Sequence, residues 1–543
     1  MKLLQIELFY TGTAQAHVVC AADGKADGLR WTVRNDEDRF TLDLHAEREI
    51  ELHSVTARFA FPFEKTDRLF LNGYQSWTDS REHTVHDTLH SIDALPGALL
   101  KKYAFDCYGD YSFVAYGKRR GELHGFTYAY VRRGEEFTLF GSLAEESGFT
   151  VLRFDTANNT LTMEKDCRGH HFTGDYTAFD LAILRGGEDA VFERWFALMD
   201  IPKPRGGRIF GYTSWYNRYE DITEQSVAED LAGFADAERR PDVFQIDDGY
   251  ERAVGDWLLV DEDKFPSGMA AAAEKIRAAG MKPGLWLAPF AAEKESLLVR
   301  DHPDWLLRDE SGEPVVGGSN WSGFYALDVY NENVRAFLRR VFDTVIREWG
   351  FSFVKLDFLY AACLRPRRDK TRAQVMYDAM RFLREICGET WILGCGVPLA
   401  PAFGLVDYCR IGCDVSLRWD DVLYMRPMHR ERISTRNTVL NTIFRRQLNG
   451  RAFMNDPDVF LLREDNIRLT PRQKYILATV NALFGGVLFT SDNIARYTPR
   501  AREVCREILA LSPEDFLSAD LRSGAVTVVY RKNGRKTKLR IPL

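Results

Sequence analysis

Over the first 200 residues or so, apolar and polar positions alternate. The runs FTLDLHAEREIELHSVTARFAF, YSFVAYG, FTYAYVRR and FTLFGSL keep this period-two rhythm and are bounded by Gly, Asp and Asn. They predict half-buried strands of a β-sandwich. The opening MKLLQIELFY reads as the first of them, since Gln5 and Glu7 interrupt it and it is short for a secretory core. DAVFERWFALMD is the first helical pattern. At IPKPRGG, Pro202, Pro204, Gly206 and Gly207 make a stiff and then flexible connection. Beyond it, eight short apolar runs alternate with helices: RIFGYTSW, VFQIDDGY, KPGLWLAPF, FVKLDFLY, TWILGCGVP, DYCRIGCDV, RAFMNDPD and GGVLFTSDN. Three of the helices have readable ends. Asn331 caps a pattern running through Val334, Leu338, Val341, Val345 and Trp349 to Gly350, Thr371 caps one ending at Gly388, and Thr470-Pro471 opens one ended by Gly485 and Gly486. Eight such units over about 290 residues predict a (β/α)8 barrel, a fold typically near ~250 residues. After residue 505 the chain is β again, with Asn533-Gly534 as a hairpin turn. The expected organisation is multidomain α/β: an N-terminal β-sandwich (1–200), a TIM barrel (205–500) and a short C-terminal β-region (505–543) packed on the barrel.

Composition narrows the function classes. A chain of 543 residues with 45% hydrophobic and 28% charged residues has the balance of a soluble globular protein of two or three domains. The net charge is −7, with no basic block, so neither nucleic acid nor a membrane surface is an expected partner. No run approaches membrane-spanning length. Nine scattered cysteines, an odd number, argue for reduced thiols, and with the short opening run they set the expectation of a cytoplasmic protein.

The candidate chemistry sits at the strand ends, where a (β/α)8 barrel carries its active site. In FVKLDFLY, Lys355 and Asp357 break a buried strand on the same side. The second strand ends in Asp247-Asp248, the third carries Trp286, the fifth ends in Cys395-Gly396, the sixth carries Arg410 and then Asp414, and the seventh ends in Asn455-Asp456. A ring of carboxylates with two cations, an aromatic plane and no histidine suits a hydroxyl-rich ligand. Two carboxylates on neighbouring strands suit glycoside hydrolysis, one as nucleophile and one as acid/base. Here Asp357 takes the first role. Asp414, read as desolvated among the apolar residues of RIGCDV, takes the second. Structural readings stand beside these: Asp456 before Pro457 fits a helix cap, Trp286 fits the core, and Arg410 fits a rim bridge. Cys395, Cys409 and Cys413 match no structural zinc spacing. NGYQSW (Asn72 to Trp77) in the first domain reads either as sandwich core or as a loop donating Trp77 to a neighbouring site.

The ordered series GYTSWYNRYEDIT, FQIDDGY, GDW, KFPSGM, GLWLAPF, HPDW, FVKLDF, GCGVP, RIGCD and NDPD resembles the glycoside hydrolase family 36 α-galactosidases over about residues 70 to 495. NGYQSW resembles that family's aromatic loop. The resemblance implies an N-terminal β-supersandwich, a (β/α)8 barrel and a C-terminal β-domain, here unusually short. It implies retaining hydrolysis of terminal α-linked galactose, with Asp357 as nucleophile and Asp414 as acid/base. Asp247 and Asp248 would hold O4 and O6 of the sugar, and Lys355, Arg410, Trp286, Cys395 and Trp77 would be further sugar contacts. No metal or organic cofactor is implied, the substrate is a small oligosaccharide or glycoconjugate, and homo-oligomerisation stays open. An α-N-acetylgalactosaminidase of the same family differs by the room around the sugar O2. A metal-dependent lyase using Asp247, Asp357 and Asp414, and a catalytically silent sugar-binding protein, are the readings from other classes. The basic tail YAACLRPRRDK departs from the family pattern, and Trp419, Asp420 and Asp421 are expected to shape the leaving-group side.

Overall fold

The computed structural model describes residues 1–543 except 94, 236 and 523, and the backbone alone at 101 and 424. The N-terminal region is one hydrogen-bonded antiparallel network of 13 strands. Its organising strand is Arg39–Ala60, 22 residues long. The first half pairs with Leu29–Asn35 and with the end of His170–Gly186, and the second half pairs with Lys2–Thr11 and Thr160–Lys165. One strand therefore serves both layers, and its inward residues Phe40, Leu42, Leu44, Ile50, Leu52, Val55, Ala57 and Phe59 share one core with Ile6, Leu8, Tyr10 and Trp31. The helix Glu188–Met199 follows, burying Val191, Phe192 and Trp195.

The barrel strands are Ile209–Thr213, Val243–Ile246, Lys282–Leu287, Phe353–Leu356, Trp391–Gly394, Tyr408–Arg410, Met454–Asp456 and Val487–Thr490. They pair in chain order and in parallel, and the first pairs with the eighth. Parallel strands are covered on both faces, so they read as continuous apolar runs instead of alternating ones. The seventh strand is split. Pro457 has no N–H to give, and Asp458 turns the chain with φ 71°. Met454–Asp456 pairs with the sixth strand, while Val459–Phe460 pairs with the eighth.

The helix ends follow the sequence signals. Thr371 and Thr470 each accept from the N3 backbone in a capping box closed by Gln374 and Gln473. The Asn331 side chain caps Glu332–Asp343, which loosens to a π-helical turn at Thr344–Glu348 before Gly350. The basic segment after the fourth strand joins the two large regions: Arg368 pairs with Glu49 at 2.7 Å, its carbonyl accepts from His171 N at 2.7 Å, and Arg372 pairs with Asp166 at 2.8 Å. The C-terminal strands Phe516–Arg522, Ala525–Lys532 and Arg535–Pro542 form a separate antiparallel sheet. It lies against the barrel helix Pro471–Phe484 through Tyr475 and Tyr530, and Asp520 reaches Arg132 of the first region. Among the described residues no helix is long and apolar enough to cross a membrane.

Candidate active site

The C-terminal ends of the barrel strands open on a cavity of about 330 Å³. Asp247, Asp248, Trp286, Lys355, Asp357 and Asp414 line it together, and Trp77 enters from the first region. Each is held by the local chain. Asp357 follows the fourth strand, and Phe358 turns back with φ 51°, so that its N–H donates to Asp357 Oδ1 at 2.9 Å. Such a left-handed conformation is uncommon for a bulky residue and marks a turn held by its surroundings. Trp286 Nε1 donates to Asp357 Oδ2 at 3.1 Å, and Lys355 Nζ stands 3.7 Å from the same oxygen. The shorter partner of Lys355 is Asp247 Oδ2, at 2.9 Å. That oxygen also accepts from Gln245 Nε2 at 2.6 Å and Thr213 Oγ1 at 3.1 Å. Burial pulls the Lys355 ammonium down, but Asp247 and then Asp357 override it and hold it above the usual lysine range. It is a fixed cation between two carboxylates.

Asp248 is 5% exposed. Its Oδ2 accepts from Trp321 Nε1 at 2.8 Å. Burial pushes its carboxyl up to about 7, opposed by the Trp321 N–H and reinforced by the charge of Asp247. Behind it, burial and then Asp248 hold the Glu251 carboxyl well above its usual range.

The loop Asn72 to Trp77 lies on the barrel mouth. Arg445, wholly buried, donates to Asn72 Oδ1 at 3.0 Å, Ser76 O at 2.7 Å, Gln75 O at 3.1 Å and, on the barrel side, Ile411 O at 3.0 Å. Ser76 N donates to Val397 O at 2.9 Å. Gly396, at φ 58°, passes so close that a Cβ there would stand 2.9 Å from the Trp77 ring. Trp77 meets Phe358 edge-on at 5.2 Å.

Four expectations need correction. Cys395 does not line the cavity: it is 1% exposed and its sulfur accepts from Trp77 Nε1 at 3.3 Å, so it supports the aromatic instead of meeting a sugar. Arg410 does not line it either, being committed behind the wall to Asp414, Asp456 and Asp458. Asp414 is not desolvated: its side chain is 35% exposed and Oδ1 pairs with Arg410 at 2.8 Å, so the apolar enclosure read from RIGCDV is absent. Asp456 caps no helix. Its Oδ1 accepts from Asp458 N at 2.8 Å, inside the break of the seventh strand.

Trp419, Asp420 and Asp421 are outside the lining, and Asp420 is tied to Arg432 and Arg436. The neighbouring Met425, Met428, Glu431 and Ile433 wall that side, with Phe105 and Tyr108 from the first region. Tyr108 OH donates to Asn320 Oδ1 at 2.6 Å and accepts from Ser319 N at 2.8 Å, which joins it to the loop carrying Trp321. These roof residues were not singled out from sequence. For Trp321 the signal was there: an aromatic in a loop crowded with Gly and Ser, GGSNWSG. Trp215 and Glu220, after the first strand, also line the cavity. Among the described residues no group of three His, Cys, Asp or Glu is placed to hold a metal ion. Asp247, Asp357 and Asp414 thus do not form a ligand set.

A barrel whose strand ends bring carboxylates, a fixed ammonium and several aromatic planes into one cavity is that of a glycoside hydrolase. Residues 212–383 match the melibiase family model. The fold superposes on the α-galactosidase of Thermus thermophilus, solved with p-nitrophenyl α-D-galactopyranoside, with a TM-score of 0.73 and 27% identity over 99% of this chain and 98% of that one. The same enzyme solved with stachyose gives 0.72 and 28%, over 92% and 98%. The chain is also 28% identical over 187 residues to α-galactosidase AgaA of Geobacillus stearothermophilus, a match that spans 32% of this chain and a quarter of that relative. The chain is thus similar to the α-galactosidases of glycoside hydrolase family 36.

Proposed function

We propose that the protein is a retaining exo-α-galactosidase that removes terminal α-D-galactosyl residues from small oligosaccharides or glycoconjugates by double displacement. The observation that carries this reading is the meeting of Asp357 and Asp414 in one cavity with Asp247, Asp248 and Lys355, in a chain whose whole length follows a solved α-galactosidase. In the first step Asp357 attacks the anomeric carbon while Asp414 protonates the departing oxygen. In the second, Asp414 takes a proton from water, which displaces Asp357 with a second inversion. Asp357 is fit to attack because its oxygens face an indole N–H, a backbone N–H and the Lys355 ammonium, donors that also fix its orientation. Asp414 reaches the open side of the cavity, where the leaving group and then water must pass. Asp247 and Asp248 accept from the sugar hydroxyls, and Trp286, Trp321 and Trp77 offer apolar planes to the ring. The nine cysteines are all free thiols, which supports a reducing, cytoplasmic setting.

The deciding assay is turnover of p-nitrophenyl α-galactoside beside the α-N-acetylgalactosaminide and α-glucoside. Hydrolysis of the galactoside at least tenfold faster than either analogue is expected. A preference for the N-acetyl sugar, or no turnover of any, overturns the reading.

A further inference from the structure

Behind the exposed Asp414 lies a group of charges that the mechanism above does not use. Arg410, 3% exposed, faces three carboxylates at once: Asp414 Oδ1 at 2.8 Å, Asp456 Oδ2 at 3.0 Å and Asp458 Oδ1 at 3.0 Å. Asp456 and Asp458 are 2% and 1% exposed, and neither lines the cavity. Asp458 Oδ2 accepts from Val415 N at 2.8 Å and from the Tyr216 hydroxyl. Val415 directly follows Asp414. One carboxylate thus grips the backbone beside the candidate acid/base while sharing the cation that grips its side chain. A position in the broken seventh strand, with φ 71°, is what lets Asp458 reach both.

We propose that Asp458 is a positioning residue for Asp414: it anchors the chain at Val415 and competes for Arg410, so that its own ionisation sets how strongly Arg410 draws on Asp414. This rests on the reading of Asp414 as acid/base. The charged and titratable groups facing Asp458 are Arg410 on the sixth strand, Asp456 on its own strand, Asp414 on the sixth-strand loop and Tyr216 after the first strand, whose carbonyl is held by Arg463 at 2.6 Å. Burial pushes Asp458 up to about 7, opposed by Arg410 and reinforced by Asp414 and Asp456. Below that pH Asp458 is a neutral neighbour of the guanidinium. Above it Asp458 competes for Arg410 as a carboxylate, and a new negative charge stands near Asp414. Both changes weaken the pull of Arg410 on Asp414 and favour the protonated form that the acid step requires.

The test is Asp458→Asn, which keeps an oxygen for Val415 and Tyr216 but never ionises. kcat/KM is followed against pH for an α-galactosyl disaccharide, whose poor leaving group needs the acid, and for p-nitrophenyl α-galactoside, which needs it less. Below about pH 6 the variant should stay within about twofold of the wild type, and its alkaline limb on the disaccharide should move down by about half a pH unit, an extra loss of about threefold near pH 8. Tyr216→Phe removes a donor to the Asp458 anion. It should move the same limb in the same direction by less, and it decides the matter alone if circular dichroism shows Asp458→Asn to be unfolded. An unmoved limb, or an equal loss at every pH, overturns the proposal. A wild type that turns over neither substrate overturns the function reading first, whereas an active wild type with unmoved limbs overturns only the role of Asp458.

Discussion

Arg445 carries a cation into the core, and every acceptor it reaches is neutral. Its guanidinium donates to Asn72 Oδ1, Ser76 O, Gln75 O and Ile411 O at 2.7 to 3.1 Å, with Gly73 O further off at 3.5 Å. Replacing it by Met, close in length and apolar, strands the four nearer oxygens in a dry interior, at about 1–3 kcal/mol each. The change also relieves a buried charge. Burial holds the Arg445 guanidinium down to about 10 from a usual 12.5, so about 3 kcal/mol is recovered. The balance is a loss of about 1–9 kcal/mol, and a value near 4 is expected. Because three of the four oxygens belong to the loop that carries Trp77, the damage also reaches the cavity: Arg445→Met should raise KM for p-nitrophenyl α-galactoside severalfold well below its own melting range. Urea unfolding with a kinetic run at low temperature measures both. Arg445→Lys, which offers three donors instead of five, should fall between. A Met variant within 0.5 kcal/mol of the wild type (roughly the scatter of neutral surface substitutions) with KM unchanged would refute the argument that this cation fastens the loop.

Three more outcomes are expected. Asp357→Ala should lower kcat on p-nitrophenyl α-galactoside by about 10⁴-fold or more, and added azide should restore turnover with β-galactosyl azide as product; an α-configured product would rule out Asp357 as nucleophile. Asp414→Ala should keep much of its first-step rate on an aryl galactoside but little on a disaccharide, whereas equal losses on both would remove it from the acid role. Asp248→Asn should abolish useful sugar binding yet stabilise the fold at alkaline pH. The Asp248 proton is held up to about 7 against a usual 3.8, so its stabilising contribution is complete below about 4 and lost as pH rises through 7. The variant, which cannot ionise, should therefore exceed the wild type by on the order of 2–4 kcal/mol near pH 8 and match it near pH 4. Equal differences at both pH values would show that Asp248 is not held protonated.

The barrel was legible because its strands are buried on both faces and its helices end in strong signals. Phe353 to Leu356, Trp391 to Gly394 and Val487 to Thr490 are short apolar runs that no solvent-facing element would carry, and Thr371 and Thr470 close capping boxes. The floor of the site was legible for the same reason: Asp247, Asp248, Lys355 and Asp357 are charges at the ends of buried strands. Most of the roof was not, because Phe105, Met425 and Met428 are ordinary apolar residues of short 3-10 segments, and only tertiary structure turns them toward the cavity. Nor does one-dimensional context report pairing. RIGCDV places Asp414 among apolar letters, yet its side chain points out of the wall and onto Arg410, four residues back. Arg410 in turn reads as a sugar contact until Asp456 and Asp458, some fifty residues on, are seen to claim it. The resemblance to the family points to strand ends that meet at one cavity, and the fold separates the side chains that line it from those, such as Arg410 and Cys395, that stand behind.

The way the first region is fastened has a consequence for biosynthesis. The loop that supplies Trp77 leaves the ribosome long before Val397 and Arg445, the groups that hold it. Asn72 O and Gly73 N find partners within the first region, but until the barrel groups arrive Ser76 N and Ser76 O lack the partners that dock the loop on the barrel mouth. The N-terminal β-network can close around its own core early, but the cavity cannot. Ribosomes stalled before residue 440 or so should carry a folded first region and a binding-incompetent chain. Deletions that spare every carboxylate of the site but remove the helix Thr435–Phe444 and the Arg445 that ends it should be as silent as loss of the nucleophile itself.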